Sequence, residues 1–231
     1  MGKKVAVIGM GVFGSQLAVD LVQKGAEVLA IDSDMSKLVD LKDEVTHTVC
    51  LDSREAKSLR SQGLTELDAV VVAIGDDFEA TLLTIACLQN IGIKRIIVRA
   101  TTLVHESIIR HLGIQEIVMP AHETADRLAN SILVKGVLDS FPLCGTHAVY
   151  EVEPQEKMIG QTVAQLKLRE GTGISLIAIK RMEEKTAILG LGVKKLESVI
   201  GDPPGDTVIQ KGDVLVVFAA ADAIKQLAGE T

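Results

Sequence analysis

The feature that most constrains this chain is the run VIGMGVFGSQ, Val7 to Gln16, which places glycines at 9, 11 and 14 near the start of the sequence. It follows the apolar run Lys4 to Ile8 and precedes Gln16 to Lys24, whose apolar residues at 17, 18, 21 and 22 lie on one helix face. Gly25 ends that helix, Val28 to Ile31 reads as a second buried strand, and Asp32 stands at its carboxyl end. Strand, glycine turn, helix, strand and acid in this order are the context in which a GxGxxG motif cradles a dinucleotide phosphate. The alternative is a bare packing turn. In the binding reading Gly9 makes the tight turn, Gly11 lets backbone approach a phosphate, and Gly14 lets the helix pack on the sheet.

The alternation continues. Thr46 to Leu51, Ala69 to Ile74, Arg95 to Arg99 and Glu116 to Met119 read as strands, separated by helices over Met35 to Leu41, Arg54 to Gln62, Glu79 to Asn90 and Leu103 to Leu112. Continuous Val/Ile strands between helices predict a parallel sheet covered on both faces. A helical pattern from Ala121 to Phe141 then reads as a connecting arm ending near Pro142. Beyond it Ala148, Tyr150 and Val152 alternate with more polar neighbours, Ile174 to Ile179 and Val214 to Phe218 are strand candidates, and a short helix starts at Asp222. The fold class expected is α/β: a Rossmann-type doubly wound parallel sheet over residues 1–120, a helical arm over 121–142, and a small α+β module over 143–231.

Composition narrows the partners. A net charge of −7, with four Phe, one Tyr and no Trp, leaves neither a basic footprint nor stacking platforms for nucleic acid. The apolar runs fall short of the roughly 20 residues that span a bilayer, so membrane association is expected through a partner and a cytoplasmic location follows. Cys50, Cys87 and Cys144 show neither a CxxC pair nor metal spacing.

Asp32 is placed to accept hydrogen bonds from ribose hydroxyls, and a 2′-phosphate would meet its charge with no nearby arginine to offset it. Ser33 or Asp34 assists, or Asp34 caps the helix at Met35; Asp52 serves the adenine end, or caps a helix at Arg54.

The segments VIGMGVFG, AIDSD, VTHTVCLDSRE, DAVVVAIGDDFEATLLT, KRIIVRA and IVMPAHETADRLA, in this order, resemble the RCK fold, the regulator of conductance of potassium. They are most similar to the cytoplasmic regulatory subunits of Trk/Ktr-type potassium uptake systems, and GDPPGDTVIQKGDVLVVFA, Gly201 to Ala219, resembles the C-terminal RCK subdomain. The resemblance implies a nucleotide-gated regulator, peripheral to the inner face of the membrane, that dimerises, assembles into an octameric ring and docks on a potassium-translocating membrane subunit. It implies adenine nucleotide (ADP, ATP or AMP) or NAD(H) as ligand. Gly9, Gly11 and Gly14, with Met10, Val12 and Phe13 between them, would hold phosphates. Asp32 and Ser33 would take the ribose, Asp52 and Ser53 the adenine side, and Ala73, Ile74 and Gly75 the cleft wall. Arg99 would stand near the phosphates and Glu123 would help hold an associated cation; their plainer roles are a strand-end charge and a helix first-turn acid.

One departure stands out. Val12 occupies the loop position where Ktr-type members commonly carry Arg, and valine cannot offset phosphate charge, so ADP, AMP or NAD(H) gain on a triphosphate. The competing class is a small NAD-dependent oxidoreductase, for which the five histidines and Tyr150 are the candidate proton carriers; no local catalytic motif surrounds them.

Overall fold

In the computed structural model, which describes residues 2–186 and 193–228, the chain splits into two compact units, Met1–His122 and Glu123–Thr231. Residues 1, 187–192 and 229–231 of the expected domains lie outside the described residues.

The first unit alternates strand and helix: β1 (Lys4–Ile8), α1 (Val12–Gln23), β2 (Glu27–Asp32), α2 (Met35–Val39), β3 (His47–Cys50), α3 (Ala56–Arg60), β4 (Ala69–Val72), α4 (Phe78–Ile91), β5 (Ile96–Arg99), α5 (Leu103–His111) and β6 (Glu116–Val118). The six strands pair in parallel in the order β3-β2-β1-β4-β5-β6, so the chain reverses direction across the sheet at β1. That order and the switch point beside β1 are the doubly wound arrangement expected. Within β1, Val5 and Val7 pack into one core while Ala6 and Ile8 pack into another, which is why the strand reads as unbroken apolar sequence.

Next come α6 (Pro120–Leu133), β7 (Val137–Cys144), β8 (His147–Val152), α7 (Val163–Leu166), α8 (Leu168–Thr172), β9 (Ser175–Thr186), β10 (Val193–Gly201), β11 (Val214–Ala220) and α9 (Ala221–Ala228). The sheet here is antiparallel, in the order β10-β9-β11-β8-β7. Along β8 and β11 every second residue is buried, the pattern of strands with one covered face.

The helical arm read through Phe141 needs correction. The helix stops at Leu133, Gly136 turns the chain at φ +79°, and Val137 onward pairs with β8 as the outermost strand of the sheet. Val137 and Phe141 stand four apart and so satisfy helical spacing too, but Val137 is buried in the core of the second unit. Pro142 is tolerated because β7 is an edge strand, where a missing N–H costs no ladder bond on the open side.

Candidate nucleotide cleft

At the carboxyl ends of β1, β2, β3 and β4 a cleft of about 460 Å³ opens, within the 300 to 1,000 Å³ range usual for small-molecule sites. The glycines after β1 divide by what each one's missing Cβ does. Gly9 sits at φ +98°, and a Cβ there would lie 2.9 Å from the Ile74 backbone nitrogen. Gly14 is tighter: a Cβ would fall 1.9 Å from the Gly9 carbonyl oxygen and 3.1 Å from the Ala73 Cβ. Both glycines are demanded by the turn and by the packing of α1 on β4. Gly11 is different. Its φ is −79°, and a Cβ there would meet nothing within 4 Å. Nothing in the chain's own packing requires glycine at 11; the bare backbone instead faces the cleft.

Gly11 is also the N-cap of α1, and the helix has no side-chain cap and no acidic residue in its first turn. Its leading N–H groups are therefore left for water or an anion, with the positive end of the helix dipole behind them. The neighbouring α4 contrasts with it, since Asp77 caps that helix by accepting from the Ala80 N–H at 2.8 Å. Val12, beside Gly11, is 95% exposed and lines the cleft mouth. Met10 is buried, and Phe13 is half-buried beneath Arg99.

Asp32 reaches the cleft as expected, but its carboxylate already has work to do. Oδ2 accepts the Met10 N–H at 2.6 Å and Oδ1 accepts the Asp34 N–H at 2.8 Å, with the Lys37 ammonium 3.6 Å away. The acid thus ties the glycine loop to the turn after β2, and a ribose would use the lone pairs that remain. Ser33 lines the cleft beside it. Asp34 takes the capping role: it accepts from the Ser36 hydroxyl and amide, and these bonds hold its carboxyl below the usual range.

Asp52 does not cap a helix at Arg54, because α3 begins at Ala56 with Glu55 as its N-cap. Instead it grips Arg54, and hydrogen bonds from that guanidinium hold its carboxyl below the usual range. Arg54 lines the same cleft as Asp32, which corrects the expectation of no nearby arginine. Ser53 is buried, its Oγ 2.7 Å from Thr84 Oγ1.

On the opposite side, Ala73, Ile74 and Gly75 form the wall after β4, and Arg99 comes in from β5. A Cβ at Gly75 would lie 2.8 Å from an Arg99 terminal nitrogen, so the glycine makes room for the guanidinium, whose carbon lies 5.5 Å from the Phe13 ring centre. The Arg99 Nε is buried without a hydrogen-bond partner. Among the described residues of the cleft, Lys37 and Arg54 each face a carboxylate, and Arg99 faces none. Sequence reading placed Arg99 at the phosphates by resemblance alone; the orphaned nitrogen is a signal only three dimensions supply.

Glu123 is exposed in the first turn of α6 and belongs to the other compact unit; among the described residues no three His, Cys, Asp or Glu gather to hold a metal. His105 and His111 are not among the residues that line the cleft. His105 stacks on Phe78 at 3.8 Å with Nδ1 2.8 Å from Thr101 Oγ1, His111 Nδ1 lies 2.7 Å from the Ser107 carbonyl, and Tyr150 is buried in the second unit, where desolvation raises its pKa.

A doubly wound sheet with a phosphate-type glycine loop, joined in sequence to an antiparallel module, defines the class: a Rossmann-type cleft on a two-unit chain. The TrkA-N domain family matches residues 5–120 and the TrkA-C domain family residues 147–230. The chain belongs to this TrkA-N/TrkA-C family of Ktr and Trk potassium uptake proteins. It is 33% identical to Ktr system potassium uptake protein C of Bacillus subtilis (strain 168), over 98% of this chain and 96% of that protein. Its fold is that of the GsuK RCK domain crystal structure, with TM-score 0.66 and 14% identity over 100% of this chain and 48% of that one. The GsuK channel bound to NAD gives TM-score 0.51 and 22% identity, over 99% and 39%. The chain thus spans less than half of either GsuK chain. Its relatives are potassium uptake proteins rather than oxidoreductases, which removes the enzyme alternative. Among the described residues no helix is long and apolar enough to cross a membrane.

Proposed function

We propose that this chain is a nucleotide-sensing regulatory subunit of a potassium uptake system, binding adenine nucleotide or NAD(H) in the cleft at β1. The observation that carries the reading is Gly11: a glycine that neither backbone conformation nor packing requires, at an uncapped helix start and in one cleft with an unpartnered arginine. Those three features share one explanation, the close approach of a phosphate.

The mechanism is linkage. A nucleotide that binds one conformation of an assembled ring better than another shifts the ring, and the ring acts on a potassium-translocating membrane subunit at the inner face of the membrane. The Ktr and Trk relatives support the partner class, and the GsuK channel bound to NAD, a longer chain that includes this fold, supports a nucleotide as the ligand. Potassium flux in cells lacking this chain, and with it restored, tests the assignment. The expected result is flux that depends on the chain and on its nucleotide; unchanged flux would overturn it.

The cleft discriminates by charge. With Lys37 and Arg54 facing carboxylates, Arg99 is left to meet phosphate, and Val12 at the mouth adds nothing. A Val12→Arg variant is expected to raise affinity for ATP relative to AMP about tenfold, the effect of one charge-assisted hydrogen bond. Titration of both nucleotides by calorimetry reads the ratio, and an unchanged ratio would mean that the terminal phosphates do not reach position 12.

A further inference from the structure

We propose that Arg54 is the surface on which the base of the bound nucleotide stacks, held flat for that task by Asp52. The inference rests on the nucleotide reading above and adds base recognition to it. Outward from β1 the sheet runs to β2 and then β3. A nucleotide with its phosphates at the start of α1 and its ribose at Asp32 therefore extends its base toward the turn after β3, where Asp52, Ser53 and Arg54 line the cleft.

Within that turn the polar groups have been assigned. Asp52 Oδ1 accepts the Arg54 backbone N–H and Nε, both at 2.9 Å, and Oδ2 accepts Nη2 at 2.6 Å. The Ser53 hydroxyl is turned to the buried Thr84 hydroxyl. The Cys87 thiol donates to the Arg54 carbonyl at 3.2 Å, which ties the turn to α4. What the turn offers a base is thus the guanidinium itself. No aromatic ring is among the described residues lining the cleft, and its other guanidinium, Arg99, comes from β5 on the opposite side, so Arg54 is the planar surface at the β3 end. A guanidinium is flat and weakly hydrated, and one gripped along its Nε–Nη2 edge by a carboxylate gives up little rotamer freedom when a purine settles on it.

The test uses calorimetry on the full chain with two probes, AMP and ribose 5-phosphate, the latter measured by displacement of AMP. Base stacking predicts that Arg54→Ala weakens AMP about tenfold while leaving ribose 5-phosphate unchanged, with an unaltered melting curve as the check on folding. Arg54→Lys keeps the charge and loses the plane, so it is expected not to restore AMP; Asp52→Asn loosens the grip and is expected to weaken AMP by a smaller factor. The proposal is overturned if Arg54→Lys restores binding or if both probes weaken equally, for then Arg54 acts as a charge. It is also overturned if Arg54→Ala leaves AMP untouched. Failure of the unaltered protein to bind AMP, ADP, ATP, NAD+ and NADH alike would overturn the nucleotide reading itself.

Discussion

Gly14→Ala is expected to disable the first unit outright, at a cost of about 3 kcal/mol or more. The new Cβ would fall 1.9 Å from the carbonyl oxygen of Gly9, a backbone atom that cannot swing aside. Nor can the turn shift, because the Gly9 N–H donates to the Ile31 carbonyl at 2.8 Å and the Ala73 N–H to the Ile8 carbonyl at 2.7 Å, fixing it between β2 and β4. Helix α1 would have to lift from the sheet, exposing Ala18 and the core beneath it. Urea unfolding followed by circular dichroism checks this; a midpoint shift worth less than about 1 kcal/mol would show that the helix has room the geometry denies it.

The second large effect lies in the other unit. Asp213 is buried, its Oδ1 2.7 Å from Arg181 Nε and its Oδ2 2.7 Å from Arg181 Nη2, and it also accepts the Gln210 N–H at 2.8 Å. Arg181 further donates to the Val208 carbonyl, so one arginine from β9 fastens the turn-rich segment before β11 to the sheet. Arg181→Met strands a buried carboxylate and is expected to cost about 3 to 5 kcal/mol, and the double variant Arg181→Met/Asp213→Leu to recover part of that loss. Equal destabilisation by the single and double variants would show that the uncompensated charge is not the cause. The same bond explains why the stretch GDPPGDTVIQKGD carries an aspartate at its end: the residue is structural.

The first unit was legible because each of its signals is local. Apolar runs in β1 and β4 are continuous because both faces are covered, and the glycine loop with Asp32 sits where the strand–turn–helix pattern requires. The second unit was harder. Val137 and Phe141 fit a helix as well as a strand, and only pairing with β8 decides between them. Strand β10 escaped notice because VKKLESVIG, an edge strand, carries charges that blur the period of two. In the cleft, residue positions were legible and their partners were not. Asp32 looked like a ribose acceptor, but its two backbone donors come from separate loops. Asp52 reads as an adenine-side residue or a helix cap, and the arginine two residues on takes its carboxylate in place of a cap. Arg99 could be weighed only by resemblance until β5 was seen beside β4, where its Nε is buried without a partner.

The double role of Asp32 also decides which variant isolates the site. Asp32→Ala would remove two loop-bracing bonds together with any ribose contact, so lost binding would not separate the two. Gly11→Ala is cleaner, since the added methyl meets nothing in the chain and the exchange at an N-cap costs at most about 1 kcal/mol. The decisive measurement is calorimetric titration of AMP, ADP, ATP, NAD+ and NADH into the unaltered chain and into Gly11→Ala. The account predicts micromolar binding of at least one of them and a loss of tenfold or more in the variant, with its melting curve nearly unchanged. Binding that is equal in both proteins, or absent below millimolar concentration in the unaltered one, would contradict it.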